Sequence, residues 1–272
     1  QLTTATLNTI SEPTFPLFSD KSKRMLLIIA AFAGSIIFII GLNLIVELLD
    51  RTLRDAERAR RLTKMNVLGA FTGNQQLKYR GFIKACNRIS AAYTHNRFIQ
   101  HMKKGKTFHI NILSIERKEG KSFVCQYLLE YWKEIGFNVK YLVAGIDFPI
   151  DATYLSSGEI SSYIEDYDQM DILLLEYPSI KDNSLPICLL NKADVNLLIA
   201  NAHRVWKNSD EEFVKYLRDM AQDKPLFLYL NNASREAVED FTGQLPPETS
   251  IRSFSNRIIY MGLTARNSAI KE

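Results

Sequence analysis

Hydrophobic and polar positions fall into blocks along this chain, and the blocks change character after residue 46. Met25 to Val46, MLLIIAAFAGSIIFIIGLNLIV, carries no charge. Its roughly 22 residues are enough for a helix to cross a hydrocarbon core of about 30 Å. The run is too long for the apolar part of a signal peptide, and no small-residue cleavage pattern follows it. Beyond it, Glu47 to Lys64 alternates charge signs and predicts a helix continuing from the apolar one. NVLGAF, residues 66–71, predicts a short turn-and-strand piece, and residues 81–102 carry a helical pattern.

From residue 107 onward, strands and helices take turns. TFHINILS (107–114) predicts a strand, and KSFVCQYLLEYWKEIG (121–136) a helix ended by Gly136. NVKYLVAGI (138–146), MDILLLEY (170–177), ADVNLLIANA (193–202), PLFLYLNN (225–232) and NRIIYMG (256–262) predict further strands. MDILLLEY is continuously apolar, as a strand covered on both faces should be. Between them lie SDEEFVKYLRDMAQ, with Ser209 as the expected N-cap, and SREAVEDFTG. Such alternation predicts an α/β fold with a doubly wound, mostly parallel sheet, preceded by a transmembrane helix. The expected divisions are an extracytoplasmic segment at 1–24, the span at 25–46, a juxtamembrane linker with helices at 47–105, and a phosphate-loop domain at 106–272.

Composition adds orientation and compartment. The 272 residues are 46% hydrophobic, room for one sizeable soluble domain and something smaller. A net charge of +4 does not call for a nucleic-acid partner. Lys21, Lys23 and Arg24 precede the apolar run, whereas Arg51, Arg54, Arg58, Arg60, Arg61 and Lys64 follow it. The positive-inside rule therefore expects the longer, C-terminal part in the cytoplasm. Three scattered cysteines and four histidines without ligand spacing point to a reducing compartment and no structural metal. The sequence opens on Gln1 and meets its first methionine at Met25, so a longer protein with a part upstream is expected.

One stretch carries candidate chemistry. ILSIERKEGKSFVCQYL, residues 112–128, runs from a strand through a polar loop into a helix. The loop ends Glu119-Gly120-Lys121-Ser122, the close of a phosphate-binding GxxxxGK[ST] motif. Gly120 would let backbone approach a phosphate, Lys121 would neutralise it and Ser122 would reach Mg²⁺. The motif's opening glycine is replaced by Ile115, and Glu116 and Glu119 bring negative charge to the loop. ATP with Mg²⁺ is thus the candidate cofactor, with binding expected to be weak or absent. The plainer reading makes Lys121 a solvated loop lysine and has Glu176 either cap a helix or meet Arg204. It also makes Tyr127, Tyr131 and Trp132 core contacts and Cys125 a small buried apolar residue.

The order of features resembles the C-terminal half of bacterial polysaccharide co-polymerases fused to a bacterial-type tyrosine kinase. SEPTFPLFSDKSKR is similar to that family's proline-rich stretch before its second membrane helix, and ELLDRTLRDAERARRLTKMNVLGAF to its juxtamembrane linker. SIERKEGKS aligns with its loop, and YDQMDILLLEYP with its Walker B strand. The resemblance implies an inner-membrane protein that regulates the chain length and export of capsular polysaccharide, exopolysaccharide or O-antigen. It also implies self-association into a ring, partnership with a polysaccharide polymerase and export proteins, and a periplasmic domain upstream. The departures matter. The family places an Asp-x-Asp pair where this chain has Val143 and Gly145, and Asp147 could replace one member. The Walker B acid is Glu176, which with Ser122 would hold Mg²⁺ if nucleotide binds. The basic activation motif is unclear in YRGFIKACNRISAAY, and after Tyr260 the tail MGLTARNSAIKE has no tyrosine cluster. The expectation is a degenerate kinase-like scaffold. An active autophosphorylating kinase and a membrane-tethered partition-type ATPase are the alternatives.

Overall fold

The computed structural model describes residues 22–73, 81–151, 156, 160–164, 167–183 and 187–246. The strand expected at 256–262, the tail and the proline-bearing segment lie outside the described residues. The chain divides into two units, Gln1–Asp50 and Arg51–Glu272.

In the first unit, helix α1 (Arg24–Leu49) buries none of its residues. It is long and apolar enough to cross a membrane. Asn43 donates to the Ile39 carbonyl 2.8 Å away, so its amide is partly satisfied within the helix's own backbone. The helix does not continue to Lys64 as its charge pattern predicts. It stops at Leu49, and Asp50 is extended. Thr52 then bridges Val205, and Leu53 is fully buried. A new helix, α2 (Ala56–Thr63), starts where the Asp55 carboxylate accepts the Arg58 N–H at 2.8 Å. Burying Leu53 and capping at Asp55 together break a pattern that charge alternation alone would have run through.

The second unit is a six-stranded parallel sheet in the order β1-β6-β5-β2-β4-β3. The strands are β1 (Asn66–Thr72), β2 (Phe108–Leu113), β3 (Val139–Val143), β4 (Ile172–Glu176), β5 (Val195–Asn201) and β6 (Leu226–Ala233). Helices α3 (Ile83–Phe98), α4 (Lys121–Glu134), α5 (Ile187–Lys192), α6 (Asn208–Ala221) and α7 (Arg235–Thr242) complete it. Strand β1 comes from the stretch expected to be a linker, yet it pairs with β6 from Asn66↔Phe227 onward.

Side-chain alternation along the strands builds two cores. Phe108, Ile110, Ile112, Ile172 and Leu174 pack with Val124, Leu128 and Trp132 of α4 on one face. Leu113, Leu173, Leu175 and Leu198 pack with Leu189, Val214 and Leu217 on the other. Both faces of the central strands are therefore covered, which explains the apolar run Ile172–Leu175 in β4 and the burial of His109, Asn111 and Asn196, the polar residues within β2 and β5. Trp132 is fully buried, its indole N–H donating to His95 Nδ1 at 3.0 Å, and Cys125 is also fully buried. Ser234 caps α7 as its position suggests. Ser209 does not cap α6. The N-cap is Lys207, whose N–H donates to the Asp210 carboxylate at 2.9 Å.

Candidate functional site

The polar loop lies where an α/β sheet places ligands, at the carboxyl end of a strand and ahead of a helix. Strand β2 sits mid-sheet because β4 and β5 flank it on either side, so the chain reverses direction across the sheet there. Ile115 turns its side chain into the core rather than leaving room for a ligand, at 1% exposure and in one cluster with Ile180. The segment after β4 runs against this start of the loop. The Ile180 N–H donates to the Ser114 carbonyl at 2.9 Å, and the Lys181 N–H to the Ile115 carbonyl at 3.1 Å.

The loop's end keeps the shape of a phosphate cradle. Gly120, at φ 86°, leads directly into α4. A Cβ there would meet Asn231 Nδ2 at 1.9 Å, so only glycine fits between loop and β6. Asn231 Nδ2 also donates to the Glu119 carbonyl at 3.0 Å and fixes the turn. First-turn N–H groups and a lysine beside them suit an anion.

Lys121, Ser122 and Glu176 converge, but with one another. Ser122 Oγ donates to Glu176 at 2.9 Å, Lys121 Nζ donates to Ser114 Oγ at 2.9 Å, and Nζ lies 3.9 Å from Glu176 Oε1. The Tyr141 hydroxyl of β3 donates to the second Glu176 oxygen. Lys121 and Glu176 side chains are each only 10% exposed, so Lys121 is no solvated loop lysine. Burial lowers the Lys121 ammonium below its ordinary value, against the pull of Glu176. Burial, then the bond to Glu176, raises the Tyr141 phenol. Tyr141 therefore stays protonated as a donor at neutral pH.

The loop's other two acids are engaged elsewhere. Glu119, only 2% exposed, accepts Arg204 Nη1 at 2.7 Å and the Asn201 N–H at 2.5 Å. Burial raises its carboxyl, with Asn201 and Arg204 working against that rise. Lys181 donates to Glu116 at 2.6 Å and lowers its carboxyl. Arg204 continues to Asp210 at 2.5 Å, with Lys181 3.1 Å from the same oxygen. Burial would raise Asp210, but the Lys207 amide, Lys181 and Arg204 together outweigh it and hold the acid low. Two expectations are corrected here. Arg204 pairs with Glu119, Glu116 and Asp210 rather than Glu176, and the loop acids confront basic side chains rather than an open phosphate site.

Asp147 caps the chain that carries it. Its carboxylate accepts the Val143 N–H at 2.6 Å, in the turn that ends β3. Val143 pairs with Glu176 in register, so the position nearest the acid offers only a valine. For a magnesium ion the donor set is thin. Glu176 already faces a serine, a tyrosine and a lysine, and no group of three or more metal-binding side chains gathers among the described residues. At the loop, the lysine that would meet an anion is held by Ser114 and Glu176 instead. The residues do not fit a metal held for phosphoryl transfer, which needs carboxylates free to take it.

Sequence reading missed Tyr141, Ser114, Asn231 and Asp210. Only Tyr141 left a signal, since in a strand it shares a face with Val143, two residues on. No protein-family model matches the chain, and no curated protein sequence matches it. Among solved structures, the chain is similar to the kinase domain of the Escherichia coli tyrosine kinase ETK. The TM-score is 0.48 at 11% identity, covering 72% of this chain and 99% of that one. It is similar to the BceF tyrosine kinase domain at TM-score 0.48 and 12% identity, over 65% and 98% of the two chains. With the chimerical protein CapA2B2 the figures are 0.45, 13%, 65% and 98%. Likenesses this distant leave the chemistry to the residues themselves.

Proposed function

We propose that this chain is the membrane-anchored end of a polysaccharide co-polymerase whose kinase-like domain works as a scaffold without phosphoryl transfer. The observation that carries the proposal is the closure of the site on itself. Lys121, Ser122 and Tyr141 all approach Glu176, and the β3 end supplies Val143 where the resembled kinases have an aspartate. A nucleotide would have to displace these contacts, so ATP binding is weak or absent. In this reading α1 anchors the chain in the inner membrane and residues 51–272 are cytoplasmic. The protein self-associates into a ring and meets a polysaccharide polymerase and export proteins, not nucleic acid.

The experiment is a comparison of polymer-length profiles in the native host for Lys121→Ala, Glu176→Gln and Leu174→Asp. The first two should leave the profile nearly unchanged. Leu174 is fully buried, and a charge there costs several kcal/mol, so the third should disturb it. A shortened or lost polymer with Lys121→Ala, in protein that remains folded and inserted, would refute the scaffold reading. A second reading, an active tyrosine kinase with an unusual site, is favoured by one contact. Ser122 Oγ lies 2.9 Å from Glu176, the pairing a magnesium ion would need to enter. A melting-point rise of the full chain with Mg·ATP, abolished by Lys121→Ala, would promote that reading.

A further inference from the structure

We propose that the cleft between the end of α3 and the start of β2 binds a small carboxylate with an apolar body. The fold brings together there one free imidazole nitrogen of His95, an apolar wall and a rim of lysines. A cavity of about 470 Å³ is lined by His95, Ile99, Met102, Phe108, Phe137 and Met170 among others. Lys103, Lys104 and Lys106 join it from the turn ahead of β2. That volume falls within the range of roughly 300–1,000 Å³ typical of small-molecule sites.

His95 sets the chemistry of the interior. Its ring is 9% exposed, and Phe137 stands edge-on to it with 5.4 Å between ring centres. An indole N–H can only donate, so the Trp132 bond at 3.0 Å leaves Nδ1 bare and puts the imidazole proton on Nε2. Nε2 bonds nothing among the described residues, yet unlike Nε2 of His109 it is not sealed from solvent. The cavity wall therefore carries an N–H donor that a bound acceptor can reach. A second proton would have to break the Trp132 bond, and burial holds the imidazole below its ordinary pKa. His95 thus offers a hydrogen bond without a charge.

The charge comes from the rim. Among the described residues no carboxylate pairs with Lys103, Lys104 or Lys106. Asp171, the acid lining this cavity, already accepts the Asn138 N–H at 2.8 Å. Exposed lysines alone would select nothing, and an apolar cleft alone would not say what fills it. Together with the His95 donor they fit a carboxylate. One oxygen accepts Nε2–H, the lysines offset the charge from the rim, and the apolar body lies against Met102, Phe137 and Met170. A sugar would leave hydroxyls unpaired against these side chains, which costs free energy.

The test uses the full chain in detergent, with 2-naphthoate as probe and matched micelles in cell and syringe. Salt is held near about 0.15 M so that loose surface attraction is screened. Calorimetry should give saturable binding. Ile99→Glu, at a wall position 52% exposed, should weaken it at least tenfold. Lys103→Gln with Lys106→Gln leaves the core untouched and should weaken it several-fold, with an unchanged melting point confirming the fold. The uncharged 2-naphthamide should bind several-fold more weakly than 2-naphthoate. Histidine ¹⁵N resonances should show His95 Nε2 moving on titration. Absence of saturable binding overturns the proposal. So does binding that survives the lysine pair, that 2-naphthamide matches, or that leaves His95 unmoved. Equal weakening by Lys215→Gln, on α6 across the sheet, would also overturn it, since charge anywhere would then suffice.

Discussion

The two ends of the sheet handle charge in opposite ways. At the carboxyl end, Glu116, Glu119, Asp210, Lys181 and Arg204 form one connected set, most of it buried. At the amino end, Lys103 and Lys106 stand in solvent beside a buried histidine with an unmatched nitrogen. The first arrangement holds a loop in one shape and leaves little for a ligand to claim. The second leaves its charge to water. Buried side-chain atoms without a hydrogen-bond partner nevertheless occur at both ends among the described residues, Arg204 Nε and Asn231 Oδ1 beside the loop and His109 Nε2 at the other.

The largest expected effect separates the two directly. Arg204→Met leaves the buried Glu119 without its basic partner and Asp210 with Lys181 alone, and such a change costs about 3–5 kcal/mol. Lys106→Met, on an exposed turn, should stay within roughly 0.5 kcal/mol. Thermal unfolding of the two variants should differ by many degrees. Similar melting points would mean the ends are not energetically distinct.

Acid should act next most strongly, and from the amino end. Burial, the main cause, brings His109 down to about 4 in the folded chain, with Asp194 pulling the other way. The unfolded chain takes up this proton near pH 6.5, so His109's contribution is complete above that pH and fades as pH falls toward 4. At pH 5 the loss is roughly 2 kcal/mol. His95 and His101, also lowered by burial, act with the same sign, and the raised Glu119 acts against it. Glu116 and Asp210, held low, lose their contribution only as pH falls through their lowered folded values. His109→Gln should therefore flatten the fall in stability between pH 7 and 5 but not remove it. An unaltered slope would assign the acid response elsewhere.

The smallest contrast concerns two glycines. Gly120 and Gly105 both have positive φ, at 86° and 72°. Alanine at either costs about 1–2 kcal/mol for the left-handed backbone. At Gly120 the new Cβ must also move Asn231, whereas at Gly105 nothing lies within 4 Å. Gly120→Ala should be the more destabilising in denaturant titration, and equal midpoints would show that Asn231 does not clamp the loop.

Much of this architecture is legible in the sequence because central strands covered on both faces leave continuous apolar runs. The run at 172–175 is unbroken, and those at 108–113 and 195–200 are interrupted only by the buried His109, Asn111 and Asn196. The convergence of Lys121, Ser122 and Glu176 is also legible, since strand order brings one loop beside one strand end. What those groups do on arrival is not. Lys121 and Ser122 meet Glu176 because Tyr141, thirty-five residues earlier, completes the acid's coordination, and nothing local announces that contact. Arg204 could pair with any acid near the loop, and only the fold selects Glu119 and Asp210. Helix ends differ from the local pattern where a buried side chain overrides it, at Leu53 and at Asp210, which accepts the Lys207 N–H.

Strand β1 sets a condition on assembly in time. Asn66 meets Phe227, 161 residues later (227 − 66), and no nearer strand flanks it. At a synthesis rate of roughly 5–20 residues per second, β1 waits about 10–30 s for its partner to be made. Through that interval a seven-residue stretch with all but Asn66 destined for burial stays unpaired close behind the apolar helix. The sheet's outermost seam is thus the last to close, and the ribosome, not the stability of the finished fold, sets its clock.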